Sequence, residues 1–121
     1  MTVKQAGDVE AKEVAAGKAT TIQVLISSKE GPNFALRRFT MQPGGGMPRH
    51  TNTVEHEQYV LAGRATITID EETYQVKAGD VVFIPEGAVH SYQNAGEELF
   101  QFLCIIPNKQ DKIMIVDDAS C

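Results

Sequence analysis

The residues of this chain best equipped to do chemistry are its three histidines. His50 and His56 stand close together in His50-Thr51-Asn52-Thr53-Val54-Glu55-His56, and His90 follows much later. Three neutral imidazoles can hold a divalent transition metal, each at about 2.0–2.1 Å, if the other nitrogen of every ring finds an acceptor. Side chains alternate faces along a strand. His50 therefore shares a face with Asn52, and His56 shares one with Gln58 and Val60. If both faces look into one interior, the three imidazoles can converge on one point. Spacing alone leaves open three unrelated histidines, exposed or hydrogen-bonded within a core.

Other residues belong to the same picture. Arg37 and Arg38 are adjacent, so only one of them faces inward from a strand. Arg37 shares its face with Ala35, Phe39 and Met41, which suits a barrel lining, and is favoured as an anion anchor. Gln58 could orient a bound water, and Tyr92 could donate its hydroxyl to a ligand; with Arg37 these are the catalytic candidates. Phe39, Met41, Phe102, Cys104 and Ile106 are expected to line the pocket. Cys104 could be a ligand or an oxidation site beside a redox metal, although a small core residue is the commoner role. Glu55 and Glu57 flank His56 on the opposite face and read as solvent-side or as partners of the ligands, not as ligands themselves.

Placing these side chains requires β-structure. Residues rich in Val, Ile, Thr, Phe and Tyr predict strands over 21–27, 34–41, 58–61, 65–70, 73–76, 81–84, 91–93 and 98–106, with a weaker one over 113–116. Turn residues separate them, among them Pro43-Gly44-Gly45-Gly46, Ala78-Gly79-Asp80 and Pro85-Glu86-Gly87. All three histidines then sit at strand starts. The best helical stretch, 8–16, is short and flanked by Gly7 and Gly17. An extended or frayed arm is expected over 1–20, a barrel over 21–116, and a flexible acidic tail over 117–121.

A chain of 121 residues forms one domain around one core. Its net charge of −5 and scattered basic residues argue against a nucleic-acid partner. No apolar run approaches the roughly 20 residues that span a bilayer, and the N-terminus has no signal-peptide core, so a cytoplasmic protein is expected. Cys104 and Cys121 fit that compartment as reduced thiols.

The stretch from Gly44 to Gly63 resembles the first motif of the cupin family. Gly44 is its opening glycine, His50 its first histidine and Gly63 its closing glycine; Asn52 stands where a second histidine is expected, and His56 where a glutamate is. The stretch from Gly79 to Asn94 resembles the second cupin motif, with Gly79, Pro85, Gly87, His90 and Asn94 in register. The resemblance implies an all-β fold, the cupin double-stranded β-helix or jelly-roll barrel, usually a homodimer. It also implies one divalent transition metal (Fe, Mn, Zn, Ni or Cu) on His50, His56 and His90, with Asn52 as a weak ligand. His56 in place of glutamate, with Pro32-Asn33-Phe34 and 102–107 around it, looks like the small all-histidine cupins of the "cupin 2" group. Three imidazoles and an amide leave the ion its full charge, which acidifies bound water and favours carboxylates or enolates. Three-histidine sites of this kind occur in cupin dioxygenases. The function implied is a metal-dependent enzyme with oxygenase-type chemistry on a small anionic or carbonyl substrate. A non-catalytic metal or small-ligand binding or sensor module is the alternative, and a sugar or keto-acid isomerase a second one. Isomerisation lacks a base once the histidines hold metal. The strand over 21–27 is the expected dimer contact, by strand exchange.

Overall fold

The computed structural model describes residues 1–116, so the tail expected over 117–121 lies outside the described residues. One 3-10 turn, Ala6–Asp8, precedes ten strands. They are β1 (Lys12–Glu13), β2 (Lys18–Ile26), β3 (Phe34–Thr51), β4 (His56–Ala62), β5 (Arg64–Ile69), β6 (Glu72–Lys77), β7 (Val81–Ile84), β8 (His90–Gln93), β9 (Phe100–Pro107) and β10 (Met114–Ile115). Among the described residues no helix is long and apolar enough to cross a membrane. Every pairing is antiparallel, in one curled sheet of order β6-β5-β8-β3-β9-β4-β7, with β1 and β2 attached through β3 and β10 on the end of β3.

Burial alternates along β4 and β9, as the period of two in a strand requires when one face is inside. The inward residues Val60, Phe100, Phe102 and Cys104 join Met41, Ile67, Ile84 and Tyr92 in the core. Each large apolar side chain so enclosed contributes roughly 1.5–3 kcal/mol.

The break expected at Pro43-Gly44-Gly45-Gly46 is not a break. A single strand, β3, runs from Phe34 to Thr51 and bends there. Its first half pairs with β2 and β9, and its second half pairs with β8. The glycines serve the bend instead of ending the strand. Gly44 takes the left-handed φ of +82°, and a Cβ at Gly46 would collide with the Tyr92 carbonyl oxygen. Asn94, fully buried, locks the bend: its Nδ2 donates to the Met41 carbonyl at 3.1 Å and to the Glu98 carbonyl at 2.8 Å, and its Oδ1 accepts from Gly96 N–H at 3.1 Å. His50 consequently lies near the end of β3, whereas His56 and His90 do open their strands.

The N-terminal segment is tied down, not frayed. Lys12 and Glu13 pair with Ile22 and Thr21, and Gln23 Nε2 donates to the carbonyls of Ala6 at 3.0 Å and Val9 at 2.9 Å. The edge expected to meet a second copy is therefore partly occupied by the chain's own arm.

Candidate metal and anion site

The bend in β3 brings the histidines together. His50 on β3 and His90 on β8 are direct cross-strand partners, and their ring centroids lie 4.1 Å apart. His56 opens β4, and its ring stands 5.7 Å from that of His90. All three are buried, at 4%, 6% and 2% exposure for His50, His56 and His90. Each ring is held by the same device: Nδ1 contacts the carbonyl two residues earlier, Pro48 at 2.7 Å, Val54 at 3.1 Å and Ala88 at 2.9 Å. A carbonyl only accepts, so each Nδ1 carries the proton and each Nε2 keeps its lone pair. Burial lowers the pKa of all three rings. Burial, and then the positive Arg37, push His56 down to about 4; burial pushes His90 to about 4 as well. The rings are thus neutral and ready to donate near pH 7.

These rings line a cavity of about 150 Å³. Asn52, Gln58, Tyr92 and Arg37 line it too, with Phe39 and Phe102. Arg37, not Arg38, faces in: its guanidinium carbon lies 5.1 Å above the Phe39 ring centroid, and its Nη2 donates to Cys104 Sγ at 3.2 Å. Arg38 turns the other way and donates to Gln23 Oε1 at 2.8 Å. Phe39, Phe102 and Tyr92 stack in sequence, at 5.1 and 5.3 Å between centroids. Gln58 Nε2 donates to the Tyr92 hydroxyl at 2.6 Å, and burial raises the Tyr92 pKa, so the phenol keeps a proton to give.

Three buried side-chain polar atoms lack a hydrogen-bond partner among the described residues: Arg37 Nε, Asn52 Oδ1 and His90 Nε2. All three residues line this one cavity. A buried polar atom without a partner costs about 1–3 kcal/mol, so their coincidence marks a place shaped for something polar. The donor set, neutral imidazoles with Nδ1 engaged, fits a transition metal in chemical type. As they stand, no three His, Cys, Asp or Glu side chains among the described residues are grouped closely enough to hold an ion. A larger hollow of about 540 Å³ lies along β6 and β7, between Tyr74 and Phe83, and no histidine lines it.

A cupin-domain family model matches residues 37–106, more than half of the chain. The chain belongs to the cupin family. This cupin superimposes on the polyketide cyclase RemF of Streptomyces resistomycificus with a TM-score of 0.89 and 30% identity, covering 97% of this chain and 86% of that one. It is 31% identical over 94 residues to the oxalate-binding protein of Thermotoga maritima, covering 74% of this chain and 78% of that protein. It is 28% identical over 102 residues to 1-methylthio-D-xylulose 5-phosphate methylsulfurylase of Rhodospirillum rubrum, covering 84% and 65% respectively. Several curated relatives are spanned over less than two thirds of their length, from 14% to 65%.

Not every residue expected to line the cupin cavity does so. Met41 and Cys104 are fully buried in the core, and Ile106 packs at its margin. Cys104 is a free thiol behind Arg37 and Gln58, and burial raises its pKa, so it packs as a small apolar residue. Cys121 lies outside the described residues. Glu55 is exposed and Glu57 half-buried; the hydrogen bond they share raises the Glu57 pKa. Sequence reasoning missed Met47, Ile22, Val14 and Ile113 as lining residues, and it missed Asp111, which accepts from Asn52 Nδ2 at 3.0 Å. No motif or spacing singles out Asp111.

Proposed function

We propose that this cupin holds one divalent transition-metal ion (Fe, Mn, Zn, Ni or Cu) on the Nε2 atoms of His50, His56 and His90. Beside it the cavity binds a small chelating oxyanion, a carboxylate or an enolate. The observation that carries the reading is the convergence of three unpartnered buried atoms on one cavity. Backbone carbonyls fix the imidazoles. Arg37 offers positive charge and an unused N–H to the anion. Tyr92, which accepts from Gln58, directs its own proton to a ligand oxygen. The stacked Phe39 and Phe102 keep water out. A bound ion would supply Lewis-acid polarisation or one-electron chemistry with O₂.

Among the described residues no carboxylate or lysine lines the cavity. That supports oxygenase-type chemistry over an isomerase, which needs a base for proton abstraction. A non-catalytic binding module would share the same first step. The name of the oxalate-binding relative supports a small chelating anion.

The test is direct. Chelator-treated protein should melt higher with Mn(II) or Fe(II), by about 2.7 kcal/mol of stability at a hundredfold excess over Kd. Oxalate should then bind the loaded protein, and a panel of dicarbonyls should draw oxygen uptake. An unchanged melt sinks the metal reading. Oxygen uptake that survives His90→Gln sinks the metal mechanism.

A further inference from the structure

The segment after β9 lies along the histidine end of the cavity, and one carboxylate pins it there. Asp111 Oδ1 accepts from the Thr53 backbone N–H at 3.0 Å, and Asp111 Oδ2 accepts from Asn52 Nδ2 at 3.0 Å. Thr53 closes the clasp: its hydroxyl donates to the Gln110 carbonyl at 3.0 Å and accepts from Lys112 N–H at 2.8 Å. Just beyond, Ile113 lines the cavity, and β10 pairs with Thr51 and His50.

A carboxylate only accepts, so the amide nitrogen of Asn52 must face Asp111 and its oxygen must face away. Asn52 lines the cavity and is 5% exposed, and its amide oxygen has no hydrogen-bond partner among the described residues. We infer that Asp111 is a positioning residue: it aims Asn52 Oδ1 at the histidine site as a fourth donor and supplies, through that amide, the negative charge that three neutral imidazoles lack. The inference rests on the metal reading above. A charge-assisted hydrogen bond to the amide N–H draws electron density toward the amide oxygen, which makes it a better donor to a cation. The segment and the site are thereby coupled, because a donor of the site is held by a side chain of the segment.

Chelator-treated wild type, Asp111→Asn, Asp111→Ala and Thr53→Val are titrated with Co(II) alone, followed by its visible absorption. Asp111→Asn keeps the shape and removes the charge; Thr53→Val loosens the clasp and keeps the carboxylate. Both Asp111 variants are expected to weaken Co(II) binding by about 10–100-fold and to change the band as an oxygen donor is lost. Thr53→Val is expected to keep near wild-type affinity and spectrum. Wild-type affinity and spectrum in Asp111→Asn overturn this inference alone, as does a loss in Thr53→Val equal to that in Asp111→Ala. No Co(II) uptake by wild type overturns the metal reading and this inference together.

Discussion

Asn94→Ala should unfasten the bend that brings His50 to His90. The Asn94 side chain makes three hydrogen bonds, and it is fully buried. The bond to the Met41 carbonyl is buried, and that oxygen loses a partner water cannot easily replace; the other two are only partly buried and can rehydrate. One stranded buried carbonyl costs about 1–3 kcal/mol, and two half-exposed bonds add about 0.5–1.5 kcal/mol each, for a loss of about 3 kcal/mol. For a domain of this size that lowers Tm by roughly 10 °C. Urea unfolding of chelator-treated protein, followed by circular dichroism, measures it. Asn94→Asp sharpens the test. Aspartate has the same shape but cannot donate, so it faces two carbonyl oxygens with a carboxylate and should be at least as damaging as alanine. A loss below about 1 kcal/mol in Asn94→Ala, or an Asn94→Asp protein as stable as wild type, would refute the account of the bend.

Two further outcomes are expected. Burial keeps the rings of His56 and His90 neutral down to about pH 4, against 6.5 for an open chain, so the unfolded state takes up protons first as pH falls. Stability of the metal-free protein is therefore full above that ordinary value and drains away between it and about pH 4; near pH 5 the loss is about 2 kcal/mol per ring. Urea titrations at about pH 7 and about pH 5 measure it, and an equal loss in a His56→Gln/His90→Gln double variant would refute it. Arg37→Met removes a buried N–H that has no partner along with the weak Nη2 bond to Cys104 Sγ and the stacking on Phe39, so the stability of the metal-free protein should change by no more than about 1 kcal/mol, while oxalate affinity of the loaded protein falls about 10–100-fold. Calorimetry decides, and undiminished oxalate binding would count against Arg37 as the anchor.

Strand period carried much of the site into view. The alternation that puts His50 with Asn52, and His56 with Gln58, also picks Arg37 over Arg38, and all of these side chains line the cavity. Residues 81–84 read as a strand and form one, Val81–Ile84. Alternation gives the face of a residue but not its depth. Phe39 and Met41 point the same way, yet Met41 lies a step further down, in the core. Local propensity misled at Pro43-Gly44-Gly45-Gly46, where pairing with β2 and β8 overrides the tendency of glycine and proline to end strands. Asp111 was hidden for another reason. Its role depends on a hydrogen bond across 59 positions of sequence, and no local pattern encodes such a meeting.

The unbroken course of β3 also limits how this lineage can vary in length. A residue added to the Asp70-Glu71 turn merely enlarges a hairpin tip at the protein's margin. Between Met47 and His50 the pairing with β8 already carries an irregularity that lets both side chains face the cavity, and a further residue there would move His50 out of its place opposite His90. That stretch should resist gain or loss of a residue, as Gly44 and Gly46 resist exchange, so relatives that bring a histidine to this position by the same bend should share its count of residues.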